Sequence, residues 1–354
     1  PVGTSLAHAS RILPLVTTAH CPSAANNLYW PEMYVNMSII EPAAIDRPYF
    51  DTLSPKTFNY ASPLDSELFS RVADFADELL AGKVSARYSP VEVAQWLEDL
   101  AQAASFNLSA AENKSFDHRT AAFRRFSIDT TVVIGLGRFF ANKLRAAVLF
   151  ALHEKTGDKD ALAESIQHYH LARDAWKRIA SVTADVYVQD VTYGSGWYQR
   201  GHWSDRLAAI ETDIAALEKR AAAAPASAAP ASIARLINAV TGHPDRPTAP
   251  VKHEPPASFR RGAAVELALS VASPRAAHLH YRHTHQAQPW NVASMTREGE
   301  TLHAAIPAGY TDTAYPLEYY FEIVEPSGQA WLHPGLGPDL DQQPYFTIRS
   351  TRTA

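Results

Sequence analysis

"AAAAPASAAPAS", residues 221–232, separates two kinds of hydrophobic periodicity. A low-complexity Ala/Pro run stays extended and few contacts need to cross it. With "TGHPDRPTAPVKHEPPAS" (241–258) and the intervening "IARLINAV", which has the spacing of a short docked helix, it reads as a linker over residues 221–257. Before it, apolar residues recur at helical spacing; after it, they alternate.

The helical side begins at 4–20, where Leu6, Ile12, Leu13 and Val16 share a stripe that Pro14 should kink or interrupt. "SPLD" (62–65) and "SPVE" (89–92) each place Ser at an N-cap, Pro at the first helical position and an acid at the third. That order satisfies the unpaired amides of a helix start. Stripes follow: Leu68, Val72, Phe75 and Leu79 in one, Val93, Trp96, Leu97 and Leu100 in the other. A long helix is predicted over 129–155, ended by Gly157, with another from Asp160 carrying Leu162, Ile166, Tyr169, Ala172 and Trp176. A further one spans 203–220 with Leu207, Ile210, Ile214 and Leu217 inward.

Past the linker, "AAVELALSVAS", "AAHLHYRHT", "TLHAAIPA", "LEYYFEIVE" and "PYFTIRS" alternate between turn residues, as in an all-β sandwich. The fold expected is multidomain α plus all-β, an α-helical bundle followed by an immunoglobulin/fibronectin-III-like β-sandwich. Its parts are an N-terminal helix and long aromatic loop (1–61), the helical domain (62–220), the linker (221–257) and the sandwich (258–354).

Composition excludes several roles. A net charge of −5 offers no basic surface for nucleic acid, and one cysteine, Cys21, allows no intrachain disulfide. The most apolar stretch, 130–152, contains Arg138, Lys143 and Arg145, which are costly in hydrocarbon, so a buried helix is expected rather than a membrane span. No phosphate loop, nucleophile elbow or calcium loop occurs, and "IGLGRF" (134–139) lacks the third Gly and the preceding strand of a dinucleotide site. No cofactor is expected.

"HLHYRHTH" (278–285) poses the metal question. On a strand, Leu279, Tyr281 and His283 share one face and His278, His280 and Arg282 the other. Two imidazoles two apart can share a metal, but a closed zinc site needs four ligands and no acid or cysteine stands nearby at a recognisable spacing, so none is expected.

Two stretches could carry chemistry. "NNLYWPEMYVNM" (26–37) offers Asn26 and Asn27 for hydroxyls, Trp30 and Tyr34 as flat faces and Glu32 as a carboxylate, a mixture that suits sugars; the same residues also read as an aromatic-stapled loop packed on the helices with its Asn side chains in turns. "YGSGWYQRGHWSDR" (193–206) crowds Trp197, Tyr198, Arg200, His202, Trp203 and Asp205 around three glycines. It reads as a binding rim where His202 or Asp205 exchanges protons, or as a structural corner with Trp203 as a staple and Ser204 or Asp205 near an N-cap.

The phrases "ASRILPLVTTAHCPSAANNLYWPEMYVNM" (9–37), "YSPVEVAQWLEDLA" (88–101), "RGHWSDRLAAIETDI" (200–214), "YTDTAYPLEYYFEI" (310–323) and "AWLHPGLGPDLDQQPYFTIR" (330–349) resemble the C-terminal portion of large bacterial glycoside-hydrolase-like proteins, distantly similar to α-glucuronidases. The resemblance implies a (β/α)-barrel upstream of Pro1, for which 354 residues leave no room and whose acid and base would lie outside this chain. It implies a C-terminal accessory region that lines a sugar cleft, in the periplasm or outside the cell. It also implies exposed apolar surface on residues 1–20, where the barrel would pack. Two other expectations stand beside it: a free-standing carbohydrate- or protein-binding module using His278, His280, Trp290 and Trp331, and a complete glycoside hydrolase using Glu32 and Asp205, with His202 nearby.

Overall fold

The computed structural model describes residues 1–21, 32, 37–41, 56–83, 85–114, 120–192, 194, 200–223, 231–246, 248–272, 274–285, 287–340 and 342–351. The chain forms two compact units, one of residues 1–80 and 88–244, the other of 81–87 and 245–354.

In the first unit, the stretch expected to kink at Pro14 is two helices, α1 (Val2–Ala9) and α2 (Ile12–Ala19). The break falls before Pro14, which sits in the first turn of α2, where a missing N–H deprives no carbonyl. The two Ser-Pro signatures part company. At 89–92 the capping box forms: Ser89 Oγ accepts from the Glu92 amide at 3.1 Å, Glu92 Oε2 accepts from the Ser89 amide at 2.9 Å, and α4 (Pro90–Lys114) follows. At 62–65 no helix starts. Asp65 caps a turn through the Glu67 amide, the Ser70 and Tyr88 backbones pair with each other's segments, and α3 begins only at Val72 (Val72–Leu80).

The long helix is α5 (Ala121–Thr156), longer at its start than its apolar run because Thr120 Oγ1 caps the Phe123 amide at 3.2 Å. Gly157 ends it in the left-handed conformation, φ 71°. Between Val132 and Leu152 α5 is buried on nearly every side, as a helix apolar all round must be. Asp158 then caps α6 (Lys159–Thr183) through the Ala161 amide at 2.8 Å. At Gly135 the two helices close up: a Cβ there would stand 2.4 Å from Ile179 Cγ1. A two-residue ribbon, β1 (Val191–Thr192) with β2 (Arg200–Gly201), leads through a 3-10 turn at Trp203–Arg206 into α7 (Leu207–Ala223), and "IARLINAV" lies in α8 (Ala231–Thr241). Among the described residues no helix is long and apolar enough to cross a membrane.

The second unit is antiparallel throughout. One sheet has the order β3 (Val251–Lys252), β4 (Val265–Val271), β8 (Thr301–Ile306), β7 (Thr296–Glu298). The other has the order β10 (Ala330–His333), β9 (Leu317–Val324), β5 (Ala276–His283), β6 (Asn291–Ser294), with β11 (Phe346–Ile348) also on β9. Both sheets feed one core, with Leu267 and Leu269 from β4, Leu302 and Ile306 from β8, Leu279 from β5, and Tyr319, Phe321 and Ile323 from β9. The alternation of β4 is the period-2 pattern in pure form, buried at Val265, Leu267, Leu269 and Val271. Residues 81–87 belong here because the Arg246 guanidinium donates to the carbonyls of Ser85, Arg87 and Ala330 at 2.8–2.9 Å.

The His-rich strand is β5, with Leu279 and Tyr281 in the shared core as its alternation requires. The surface expected to be exposed is not: His280 on its other face is buried, as is Trp290, and Trp331 of β10 lies in the shared core. His280 lies against Tyr320 with ring centroids 4.5 Å apart, and its Nε2 meets Glu322 Oε2 at 3.0 Å. Arg282 Nε donates to Glu318 Oε2 at 3.0 Å while its guanidinium lies 4.2 Å over the Trp290 ring. His283 stacks on Tyr310 at 4.1 Å. Each of these three polar side chains has partners from its own unit, and the carboxylates that His280 and Arg282 meet both lie on β9.

Candidate functional site

The region around 200–206 is built from the backbone outward. Gly201 has φ 115°, and a Cβ there would lie 3.0 Å from Asp205 Oδ2, so both conformation and space call for Gly. Arg200 clamps Asp190 across the base of the ribbon, both side chains exposed, and this hydrogen bond holds the Asp190 carboxyl below its usual range. Residues 202–205 form a capping box with His202 as N-cap. Its amide donates to Asp205 Oδ2 at 2.7 Å, and its Nδ1 accepts from the Ser204 amide at 3.2 Å. With Nδ1 accepting, the proton sits on Nε2, which faces the Thr183 carbonyl at 3.4 Å. Of the two readings of this corner, the geometry is that of the cap, with His202 in the position expected for Ser204 or Asp205.

Trp203 is the pivot. It is 1% exposed, its Nε1 donates to the Glu32 carbonyl at 2.7 Å, and its own carbonyl accepts from Trp176 Nε1 at 2.8 Å. Tyr187 meets the ring edge-on at 5.1 Å. An indole enclosed in this way clamps the start of α7 to α6 through Trp176 and to the Glu32 backbone. Asp205 and His202 likewise place their polar atoms on backbone geometry. Of the expected residues, the structure thus brings together Glu32, His202, Trp203 and Asp205, with Arg200 on the adjoining ribbon; Asn26, Asn27, Trp30, Tyr34, Trp197 and Tyr198 lie outside the described residues.

A second polar centre escaped the sequence. Lys143, 0% exposed, donates from Nζ to the Tyr169 hydroxyl at 2.8 Å, and that hydroxyl donates to Asp213 Oδ2 at 2.6 Å. The ammonium is enclosed by the rings of Phe58, Phe139 and Tyr169, at 5.1, 5.6 and 4.8 Å from their centroids. Burial drives the Lys143 pKa down to about 7, against the pull of the Asp213 charge. Beside it His20 stacks on Phe58 at 3.8 Å and bonds its carbonyl at 2.9 Å, with a pKa lowered to about 4, again chiefly by burial. The available signal was Asp213, an acid standing between Ile210, Ile214 and Leu217 on the inward stripe of α7.

Compared by sequence, no protein-family model and no curated protein matches the chain. Among solved structures, one that it resembles is a GH138 enzyme targeting pectin rhamnogalacturonan II, with a TM-score of 0.46 and 11% identity. The likeness covers 61% of this chain and 31% of that one, so the chain spans about a third of that enzyme's length.

Proposed function

We propose that this chain is the accessory region of a carbohydrate-active protein, its helical unit a frame that holds the 26–37 stretch where it lines a saccharide cleft. The observation that carries the reading is the clamp: Trp203 holds the Glu32 backbone, while His202 and Asp205 fix the corner on which Trp203 stands. Groups spent on positioning chain serve a frame better than a reaction centre. The composition of the stretch supplies the ligand class, since Trp30 and Tyr34 suit the C–H faces of a sugar and Asn26 and Asn27 its hydroxyls. Glu32 serves as a ligand or as an acid behind one, and Trp197, Tyr198 and Arg200 are further residue types suited to contact a sugar.

The outward side of α1 supports a neighbouring domain. Val2 and Leu6, one turn apart, are 40% and 48% exposed while the helix buries Ser5 and Ala9. We read the occupant of that side as an upstream barrel, the pleated unit as an immunoglobulin/fibronectin-III-like buttress, and the setting as periplasmic or extracellular.

The test is hydrolysis of a panel of neutral and acidic oligosaccharides, by the chain alone and by the chain fused to the protein encoded upstream of Pro1. The expected result is no turnover alone and turnover when fused, with Trp30→Ala raising KM more than it lowers kcat. Turnover by the chain alone, abolished by Glu32→Gln or Asp205→Asn, would instead identify a complete hydrolase. Tight binding without turnover, with no barrel encoded upstream, would identify a free-standing binding module.

A further inference from the structure

In the helical unit α4, α5 and α6 leave an open groove of ≈ 190 Å³. That is below the roughly 300–1,000 Å³ of sites for drug-sized ligands, so it has room for a single ring or a short chain. Its floor is the close approach of α5 and α6 at Gly135. Two guanidinium groups enter from different helices, Arg138 from α5 and Arg178 from α6.

Arg71, Arg145, Arg173, Arg200, Arg220, Arg261 and Arg282 each bond a carboxylate. Among the described residues neither Arg138 nor Arg178 has a side-chain hydrogen bond or an ion pair. One acid, Glu112 of α4, also lines the groove and accepts from Ser127 Oγ at 2.6 Å; Asp129 accepts from the Tyr187 hydroxyl and Asp174 from Arg173 at 2.9 Å. Two forks left open toward one concavity match an oxyanion, which guanidinium groups bind bidentately. Ser105 and Ser109 from α4 and Thr131 from α5 add hydroxyl groups, which both donate to and accept from other hydroxyls, beside the apolar Leu108, Ile134 and Ala175 and the Glu112 carboxylate.

We propose that this groove binds a small polyhydroxylated oxyanion, its charged group held between Arg138 and Arg178 and its hydroxyls by Ser105, Ser109 and Thr131. The site is separate from the 26–37 stretch and stands or falls independently of the accessory reading. Both a carboxylate and a phosphate satisfy its chemistry.

The test is isothermal titration of the full chain with gluconate, glucose 6-phosphate, inorganic phosphate and glucose at low and moderate salt. Saturable binding of gluconate or glucose 6-phosphate is expected, weakening with salt, and the tighter of the two names the source of the anion. Glucose should bind at least about tenfold more weakly, and Arg138→Gln or Arg178→Gln should each weaken the anion about tenfold, the effect of one charged hydrogen bond. Both side chains are exposed, so an unchanged melting temperature accompanies these results; should a variant melt early, Arg→Lys keeps the charge, loses the fork and should bind at an intermediate strength. The proposal is overturned if no anion binds, if the double variant R138Q/R178Q binds as the parent does, or if inorganic phosphate binds as tightly as the sugar phosphate and no tighter site exists for gluconate.

Discussion

Lys143 is fully buried, and its partners decide what that burial costs. The Tyr169 hydroxyl and the Asp213 carboxylate compensate a charge that no solvent reaches. Replacing Asp213 by Asn keeps an acceptor for Tyr169 but strands the cation. At pH 6, guanidinium denaturation of Asp213→Asn is expected to give a loss of about 3 kcal/mol or more, the cost of breaking one half of a buried pair. The double variant K143M/D213N removes both charges and should lie within about 1.5 kcal/mol of the parent, as buried pairs exchanged for matched neutral groups do. The pH dependence carries a definite sign. With a folded pKa of about 7 against 10.5 unfolded, Lys143 binds its proton less readily when folded, so stability rises with pH between those values. Lys143→Met should flatten that rise, which denaturation midpoints at pH 7 and 10 will report. At Gly135 the constraint is volume: Gly135→Ala places a Cβ 2.4 Å from Ile179, and a cost of about 1–3 kcal/mol is expected from forcing α5 and α6 apart.

At the scale of elements, legibility in the sequence followed how local the deciding interaction is. "SPVE" starts a helix because every atom of its capping box lies within four residues. "SPLD" carries the same signature and yields a turn, because Tyr88 takes the Ser70 amide and donates to the Leu68 carbonyl, a pairing about 20 residues away that no local pattern announces. The outer face of β5 has the same history. His280 and Arg282 are polar at alternating positions and read as solvent-facing, yet β9 places Tyr320 and Glu318 directly opposite them in register. Of the candidate site, the corner at 202–206 was readable as a cap because its bonds are local, whereas the Trp203 clamp on Glu32 spans 171 residues and was not. Arg145 is the long-range tie that holds α8. It donates to both oxygens of Glu98, to Gln95, and to the carbonyls of Val240 and Gly242. Arg145→Lys keeps the charge and loses the fork, so a destabilisation of about 2–4 kcal/mol is expected. Hydrogen exchange should quicken most in α8, whose C-terminal carbonyls lose their donor; uniform exchange across the unit would show that the tie is not local to α8.

For the whole molecule, burial of neutral imidazoles makes acid the common weakness of both units. His20 and His168 in the helical unit and His333 in the pleated one are each held to about 4, in every case first by desolvation. Unfolded histidine takes up its proton near 6.5. Between 6.5 and 4 the unfolded chain therefore binds protons that the folded chain refuses, and stability falls as the pH falls through that window. Below it Glu322, whose carboxyl is lowered by its hydrogen bond to His280, adds a further loss in the same direction in the pleated unit. The two contributions separate by substitution. His333 packs its ring against Phe321, Trp331 and Phe346, a setting in which Phe preserves the contacts and removes the titration. His333→Phe should leave stability near pH 7 almost unchanged and raise that of the pleated unit at pH 5, while the response of the helical unit, followed by exchange of α5 and α6 amides, stays as it was. An equal loss at pH 5 in the variant and the parent would mean that His333 is already protonated in the folded chain, and that its position against three aromatic rings leaves it wetter than the packing implies.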